Sequence, residues 1–515
     1  MPDLLPDQLR LMADTHPDEV AFIDVSAGAE LTFAQWDNRS SRLARWLIGH
    51  GVSKGDRVAL FVPPAEPELF IVGYAAVHKA GAVAVPTSTR LVARELAYVA
   101  DHAGAVVAIT GSSTLPALLQ AAPEVGDLHT IVTSADVEAV RGDGGSGRSG
   151  EVELVAWDDA TDPDDSPIQV PLEGTDMADI MYTSGTTGRP KGVVVRHGNI
   201  ALLPNGLPPW SGNGWLNASP LFTFAGIAAV YNPMKLGMRL LYQPRFDVDG
   251  WFDVVARYRP SATFLVPAMA ELLIASPRFA EADLSSITLC PLGSAPLAQS
   301  TFDTLRRRLP QAVVSNAWGM TEAGPAFCHM PPEELEHRIG SVGKPVPPTE
   351  ARIIGDGGED LPPRTVGQLL IRNPGREREY YRNEAATADT WKDGWLHTGD
   401  MAELDEDGYL YLRGRAKDVI IRGGNNVHAA DVESALYEHP DVQEAAVAAV
   451  PHDVLGEDIG AWVVLRPGAT TTEEDLREHS AARLSDYKVP RHWWFIDELP
   501  RNPTGKVVKA DLPHG

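Results

Sequence analysis

Between residues 182 and 193 the chain reads YTSGTTGRPKGV. Thr183, Ser184, Thr186 and Thr187 offer hydroxyls, Gly185 and Gly188 let backbone N–H groups approach an anion, and Lys191 adds positive charge. These are the ingredients of a phosphate-binding loop. It is not the loop of the common NTPases, which needs G-x-x-x-x-G-K-[ST]. Five residues after Gly185 stands Pro190, and Lys191 is followed by Gly192. A plain polar turn after the strand-like ADIMY is the alternative, but so dense a cluster of donors exceeds what a turn uses.

The elements around this loop must hold it in place. TFAQWDNRSSRLARWLIGHG, from Thr32, has a capping hydroxyl, apolar Leu43, Trp46 and Leu47 at helical spacing, and Gly51 as a stop, which predicts an amphipathic helix. The β-rich runs DRVALFV, GAVAVP and AVVAIT alternate with helical stretches such as RELAYVADHAG, the signature of βαβ units and a mainly parallel sheet. The same rhythm returns after residue 215. RGDGGSGRSG, residues 141 to 150, reads as a solvated loop and receives no function. Near residue 400 the texture changes. The expected order there is a β-hairpin made of YLYLRGR and DVIIRGG, a helix DVESALYEH, strands QEAAVAAV and GAWVVLR, a Thr472-capped helix, and a last strand HWWFIDEL. The fold class expected is α/β: a large N-terminal body with mainly parallel sheets, residues 1–414, and a small C-terminal α/β lid of about a hundred residues, 415–515. The boundary falls within Gly414 to Asp418.

The whole chain narrows the function. With 515 residues, a prior of about 150 per domain gives roughly three units, large enough for an enzyme with an internal cleft. Lys and Arg number 44 against 70 Asp and Glu, a net charge of −26 that repels phosphate backbones and anionic lipid, so nucleic acid and membrane surfaces are poor partners. Two cysteines, Cys290 and Cys328, lack zinc-ligand spacing and fit a reducing compartment. The first twenty residues have acids and prolines where a signal peptide needs a basic start and an apolar run, and later apolar runs are broken by charge. A soluble cytoplasmic protein without a membrane span, monomer or homodimer, is the expectation.

Six stretches occur in order: the loop above, GSAP at 293–296, AWGMTE at 317–322, WLHTGD at 395–400, GRAKDVIIRGGNNV at 414–427 and PRNPTGK at 500–506. In these motifs, over nearly its whole length, the chain resembles the adenylate-forming enzymes, which include acyl-CoA synthetases, firefly luciferase and the adenylation domains of peptide synthetases. The resemblance implies a cleft between body and lid in which a carboxylate attacks the α-phosphorus of ATP, giving acyl-AMP and pyrophosphate, a transfer governed by positioning and charge neutralisation. It implies ATP, Mg²⁺ and coenzyme A as cofactors, and a small carboxylic acid as the other partner.

The same resemblance distributes the roles. The loop would hold the leaving β- and γ-phosphates, and Glu322 with Thr183 would supply oxygen ligands to the metal. Trp318, standing where the family usually has Tyr, would stack on adenine, with Gly319, Met320 and Thr321 beside it and Gly293, Ser294, Ala295 and Pro296 across the ring. Asp400 would accept both ribose hydroxyls, Arg415 would lie against ribose and phosphate, and Lys506 would stabilise charge during adenylation. Lys417 matches the hinge about which the lid rotates between the two half-reactions. Gly423 and Gly424 would face pantetheine; Lys488 and Arg491 are candidates for CoA phosphates, with plain surface charge as the other reading. In the segment after the RGG loop, His428, Ala429 and Asp431 depart from the usual residues, which bears on the identity of the acceptor.

The acid pocket is expected at PLFTFAG, where Thr223 stands at a position that is usually His. Phe222, Phe224, Ala225, Gly226, Ala317 and Gly319 mix aromatic faces with small residues, suiting a rigid or medium-sized acid at least as well as a long chain, although Phe222 and Phe224 could equally be core. Fatty, aryl and alicyclic acids stay open. Of three function classes, an acyl-CoA synthetase fits best; transfer to a carrier protein, amine or other nucleophile is the alternative. A non-catalytic relative is disfavoured because Glu322, Asp400 and Lys506 are all retained.

Overall fold

The computed structural model describes the chain except residues 1–3, 143–147, 150–151, 169, 184–188, 201–202, 296, 325–327, 336, 339, 424, 453, 503–505 and 514–515. It divides into two compact units, Met1–Phe264 with Met320–Pro325 and Gly375–Asp389, and the remainder from Leu265 onward. No helix among the described residues is long and apolar enough to cross a membrane.

In the first unit the predicted helix forms over Phe33–Gly49. The Thr32 side chain accepts from the Gln35 amide and the Gln35 side chain reciprocates, a capping box that satisfies two orphan donors, while Trp36, Leu43, Trp46 and Leu47 are buried. The βαβ rhythm is realised as a sheet ordered Glu379–Tyr380, Lys191–Arg196, Met177–Thr183, Val83–Pro86, Arg57–Phe61, Ala105–Thr110, Thr130–Thr133, Val152–Ala156 and Arg148–Ser149. Its centre is parallel and its outer strands are antiparallel. Part of the Gly/Ser-rich stretch is thereby drawn into the sheet edge at Arg148–Ser149. The helix Pro67–Lys79 is buried almost throughout, which a helix at a sheet's centre requires.

A second layer of this unit pairs Asn213–Asn217, Met238–Tyr242 and Val20–Asp24 in parallel.

The other unit contains the parallel pair Leu289–Gly293 and Val313–Ala317. It also has an antiparallel sheet ordered Cys328–His329, Ser341–Pro345, Leu410–Arg415, Trp395–Leu404, Gly367–Arg372 and Glu350–Ile354. Its last sheet joins Asn425–His428, Val419–Arg422, Gly456–Leu465 and Val442–His452, with His492–Phe495 in parallel on Gly456–Leu465. The helices Ala429–Tyr437 and Glu473–Ala481 contribute Val432, Leu436 and Leu476 to its core, and Thr472 caps the second of them as expected.

One expectation fails here. YLYLRGR and DVIIRGG do not form a hairpin: Leu410–Arg415 pairs with Trp395–Leu404, and Val419–Arg422 pairs with Asn425–His428 in a different sheet. The two strands follow one another with only Ala416–Asp418 between them, and that three-residue turn redirects the chain instead of folding it back on itself. Both cysteines are free; burial pushes the Cys290 thiol up to about 12, leaving it inert at neutral pH.

Candidate active site

In the first unit, strand Met177–Thr183 is flanked by Val83–Pro86 on one side and Lys191–Arg196 on the other. The antiparallel register places Thr183 opposite Lys191 and Tyr182 opposite Gly192, so the ends of both strands present a hydroxyl and an ammonium at one edge. Gly192 is required there: a Cβ would lie 2.7 Å from Ile180 Cγ2 and 3.1 Å from the Tyr182 ring. Ser184, Gly185, Thr186, Thr187 and Gly188 lie outside the described residues.

The predicted pairing of Thr183 with Glu322 is present. Thr183 Oγ1 donates to Glu322 Oε1 at 3.1 Å, across 139 residues of sequence. Glu322 sits on the short turn Thr321–Ala323, which Gly324 ends at φ 70°. Two side chains missed from the sequence support it. The Tyr380 hydroxyl donates to the same Glu322 oxygen at 3.3 Å, and Lys191 lies 4.8 Å over the Tyr380 ring. Arg378 donates to the Thr321 carbonyl. Both come from EREYYRNEAAT, a stretch to which the sequence alone assigned no role.

PLFTFAG opens the helix Phe224–Lys235. Thr223 is its N-cap: Oγ1 accepts from the Gly226 amide at 3.1 Å and donates to Pro220 O at 2.7 Å. Its hydroxyl is thus consumed locally and does not furnish a polar wall. Gly226 packs against the preceding backbone, where a Cβ would meet Pro220 O at 2.0 Å. A small pocket runs along this helix, lined by Met181, Val195, Ile200, Phe224, Ile227 and Tyr231 among others. Of the residues expected in the acid pocket, only Phe224 lines it; Phe222, Ala225 and Gly226 do not. The Tyr231 hydroxyl is buried without a partner among the described residues, and burial holds its pKa well above the ordinary phenol value. On the strand Met177–Thr183, fully buried Asp179 accepts from the Tyr74 hydroxyl at 2.8 Å and meets His78 Nε2 at 3.0 Å, a network that ADIMY alone did not reveal.

The other unit holds most of the residues expected to meet adenosine, whereas Met320 and Thr321 belong to the first. Strands Leu289–Gly293 and Val313–Ala317 place Gly293 opposite Ala317, so close that a Cβ on Gly293 would lie 2.6 Å from the Ala317 carbonyl. Ser294 follows at φ 72°, an uncommon left-handed conformation for a non-glycine residue, and Ala295 continues the loop. Pro296 lies outside the described residues. Gly319 is exposed and Trp318 half-buried. The Trp318 indole supplies a donor that the sequence comparison with tyrosine did not foresee: Nε1–H donates to Asp400 Oδ2 at 3.0 Å.

Asp400 is 7 % exposed and also accepts from Arg415 Nε at Oδ1, 3.0 Å away. Burial raises its pKa above the usual carboxylate value, while Arg415, Trp318 and Lys506 oppose that rise. Lys506 thus acts electrostatically on Asp400, an interaction its motif had not suggested. Its backbone is held by reciprocal bonds with Asn502, the Lys506 amide donating to Asn502 Oδ1 at 2.9 Å. Lys417 is exposed on the turn Ala416–Asp418. Gly423 adopts φ 54°, and Gly424 lies outside the described residues. Lys488 pairs with Asp431 at 2.7 Å and Arg491 with Asp486 at 3.0 Å, so both CoA-phosphate candidates already have protein partners.

Comparison with known proteins agrees with this chemistry. Residues 9–381 match the AMP-binding enzyme family and residues 431–506 the AMP-binding enzyme C-terminal domain. The chain is 36% identical over 496 residues to a feruloyl-CoA synthase from Amycolatopsis sp, covering 94% of each protein. It is 31% identical over 513 residues to the long-chain-fatty-acid–CoA ligase FadD13 of Mycobacterium tuberculosis, covering 98% of this chain and 97% of that one. The solved anthranilate CoA ligase AuaEII in complex with anthranoyl-AMP superposes with a TM-score of 0.86 at 25% identity, covering 98% of this chain and 96% of that one. The chain belongs to the AMP-binding enzyme family, and it is an AMP-forming acid–CoA ligase of the adenylate-forming superfamily.

Proposed function

We propose that this ligase activates an aryl acid of modest size whose ring bears a polar substituent. The observation that carries this reading is the pocket along Phe224–Lys235: apolar side chains line it, yet it includes the Tyr231 ring, whose buried hydroxyl has no partner among the described residues. A buried donor left unpaired costs free energy that a hydroxylated ring would recover. The aryl-CoA ligases among the relatives fit the same reading.

The roles assigned to the site follow the chemistry of each group. The hydroxyl loop and Lys191 bind the β- and γ-phosphates; Trp318 stacks on adenine; Asp400 accepts the ribose hydroxyls through lone pairs not used by Arg415 and Trp318. Lys506 stabilises charge as the substrate carboxylate attacks the α-phosphorus and pyrophosphate leaves. The donor set suits magnesium: the Glu322 carboxylate and the Thr183 hydroxyl are hard oxygen ligands, leaving the remaining positions to phosphate and water. When bound, the ion neutralises charge on the leaving phosphates. For the second half-reaction we assign residues 415–515 to a lid that rotates at Lys417, with the RGG loop receiving pantetheine. The two sheets that end at Arg415 and begin at Val419 support this.

The test is ATP–pyrophosphate exchange over three acid classes: aryl acids with a ring hydroxyl, unsubstituted aryl acids, and long saturated fatty acids, with CoA thioester analysed afterwards. Hydroxylated aryl acids are expected to give the highest kcat/KM. Tyr231→Phe should lower it by about tenfold for these and hardly at all for unsubstituted acids, in keeping with one hydrogen bond. Preference for long-chain acids, with no effect of Tyr231→Phe, would refute the assignment.

A further inference from the structure

We propose that Arg378 is a positioning residue: by gripping the Thr321 carbonyl it fixes the Glu322 carboxylate in place for the metal and phosphates, and by lying on Phe224 it ties that anchor to the acid pocket. The guanidinium is 5 % exposed, and no carboxylate among the described residues forms an ion pair with it. Its two Nη groups donate instead to backbone, while Nε finds no partner among the described residues. One Nη donates to Thr321 O, and the other donates to Asn199 O at 2.9 Å. Its planar face lies 5.5 Å from the centre of the Phe224 ring, which lines the pocket.

The turn after Glu322 is shaped around it, since a Cβ on Gly324 would stand 3.2 Å from Arg378 Nε. Burial lowers its pKa to about 10, and the fields of Asp179 and Glu322 oppose that fall, so it stays cationic at neutral pH.

Burying a charge without a paired partner is expensive, and an apolar side chain of similar volume would pack the same space more cheaply. What only a guanidinium supplies is a rigid fork that reaches two carbonyls from separate segments at once. Thr321 O belongs to the peptide that leads into Glu322, so holding it fixes the backbone from which the carboxylate projects. Tyr380, two residues on in the strand Glu379–Tyr380 that follows, then bonds the carboxylate itself.

The inference rests on the reading of Glu322 as a metal ligand, and the experiment separates the two. Binding of Mn²⁺ as a probe is measured by electron paramagnetic resonance in the presence of ATP, without turnover, for wild type, Glu322→Gln, Arg378→Met and Arg378→Lys. Glu322→Gln and Arg378→Met are both expected to weaken Mn²⁺ binding by about tenfold or more, as loss of groups that orient a ligand commonly does. Arg378→Lys, which keeps the charge but loses the fork, should fall between Arg378→Met and wild type, and it decides the matter if Arg378→Met does not fold. In pyrophosphate exchange both Arg378 variants should lower kcat more than they raise KM for ATP. If Glu322→Gln weakens Mn²⁺ while the Arg378 variants bind it like wild type and merely melt earlier, Arg378 is packing and the proposal is overturned. If Glu322→Gln leaves Mn²⁺ binding unchanged, the metal-ligand reading itself falls and the proposal with it.

Discussion

Asp400 already receives two donors, Arg415 on one oxygen and Trp318 on the other, in a site where burial raises its pKa. Each carboxylate oxygen has a second lone pair, so these bonds orient the group without closing it to ribose hydroxyls. The balance has a testable sign. A carboxyl whose folded pKa lies above its unfolded value holds its proton to higher pH in the folded chain. Folding stability therefore declines as pH rises from about 4 through the folded value, and above it the ionised form is a standing cost. Trp318→Phe keeps an aromatic face and removes one donor that lowers this pKa, so the acid limb of ATP binding should move to higher pH, read from ATP affinity between roughly pH 4.5 and 7. Asp400→Asn should bind ATP weakly at every pH yet melt no earlier than wild type near pH 7. An unmoved acid limb in Trp318→Phe would show that the indole N–H does not act on the carboxylate.

The segment before helix Phe224–Lys235 shows how an element can absorb a residue that looks functional. Thr223 stands at a position expected to face substrate, but its hydroxyl bridges Pro220 O and the Gly226 amide. Thr223→Val preserves shape and loses the cap, and should destabilise by about 1 kcal/mol in denaturant titration. Gly226→Ala should cost more, because its Cβ would collide with backbone and not with a yielding side chain. Equal stability of Thr223→Val and wild type would mean that the hydroxyl is free for the pocket after all. Such local chemistry explains what could be read in advance. Caps at Thr32 and Thr472 and the βαβ rhythm are written in neighbouring residues, and so were found. Thr183 and Glu322 were joined only through the order of the motifs, since 139 residues separate them. Asp179, Tyr380 and Arg378 stayed hidden because their partners are distant in sequence, and those of Arg378 are backbone carbonyls, which carry no side-chain signature. The false hairpin at YLYLRGR and DVIIRGG has the same origin: adjacent β-rich runs do not say which sheet each one joins.

At the scale of the molecule that failed hairpin becomes informative. Arg415 ends a strand of one sheet, Val419 begins a strand of another, and Lys417 occupies the exposed turn between them. A chain that changes sheets within three residues has few contacts to break at that point, and a backbone change there can swing everything after it. On the roles proposed above, adenylation needs the Lys506 loop at the carboxylate whereas the attacking thiol needs that side cleared, so the proposed rotation lets one site serve both steps. The two halves should come apart by mutation. Lys506→Ala should abolish acyl-AMP formation while leaving transfer from supplied acyl-AMP to CoA largely intact, because its charge is assigned to the first step alone. Lys417→Pro fixes φ near about −65° and restricts the turn without touching the Thr183–Glu322 pair or Asp400, so it should spare adenylation and suppress thioester formation. Single-turnover assays of each half-reaction, on variants whose melting matches wild type, decide it: equal loss of both steps in both variants would mean that rotation at Lys417 does not separate the chemistry of this ligase.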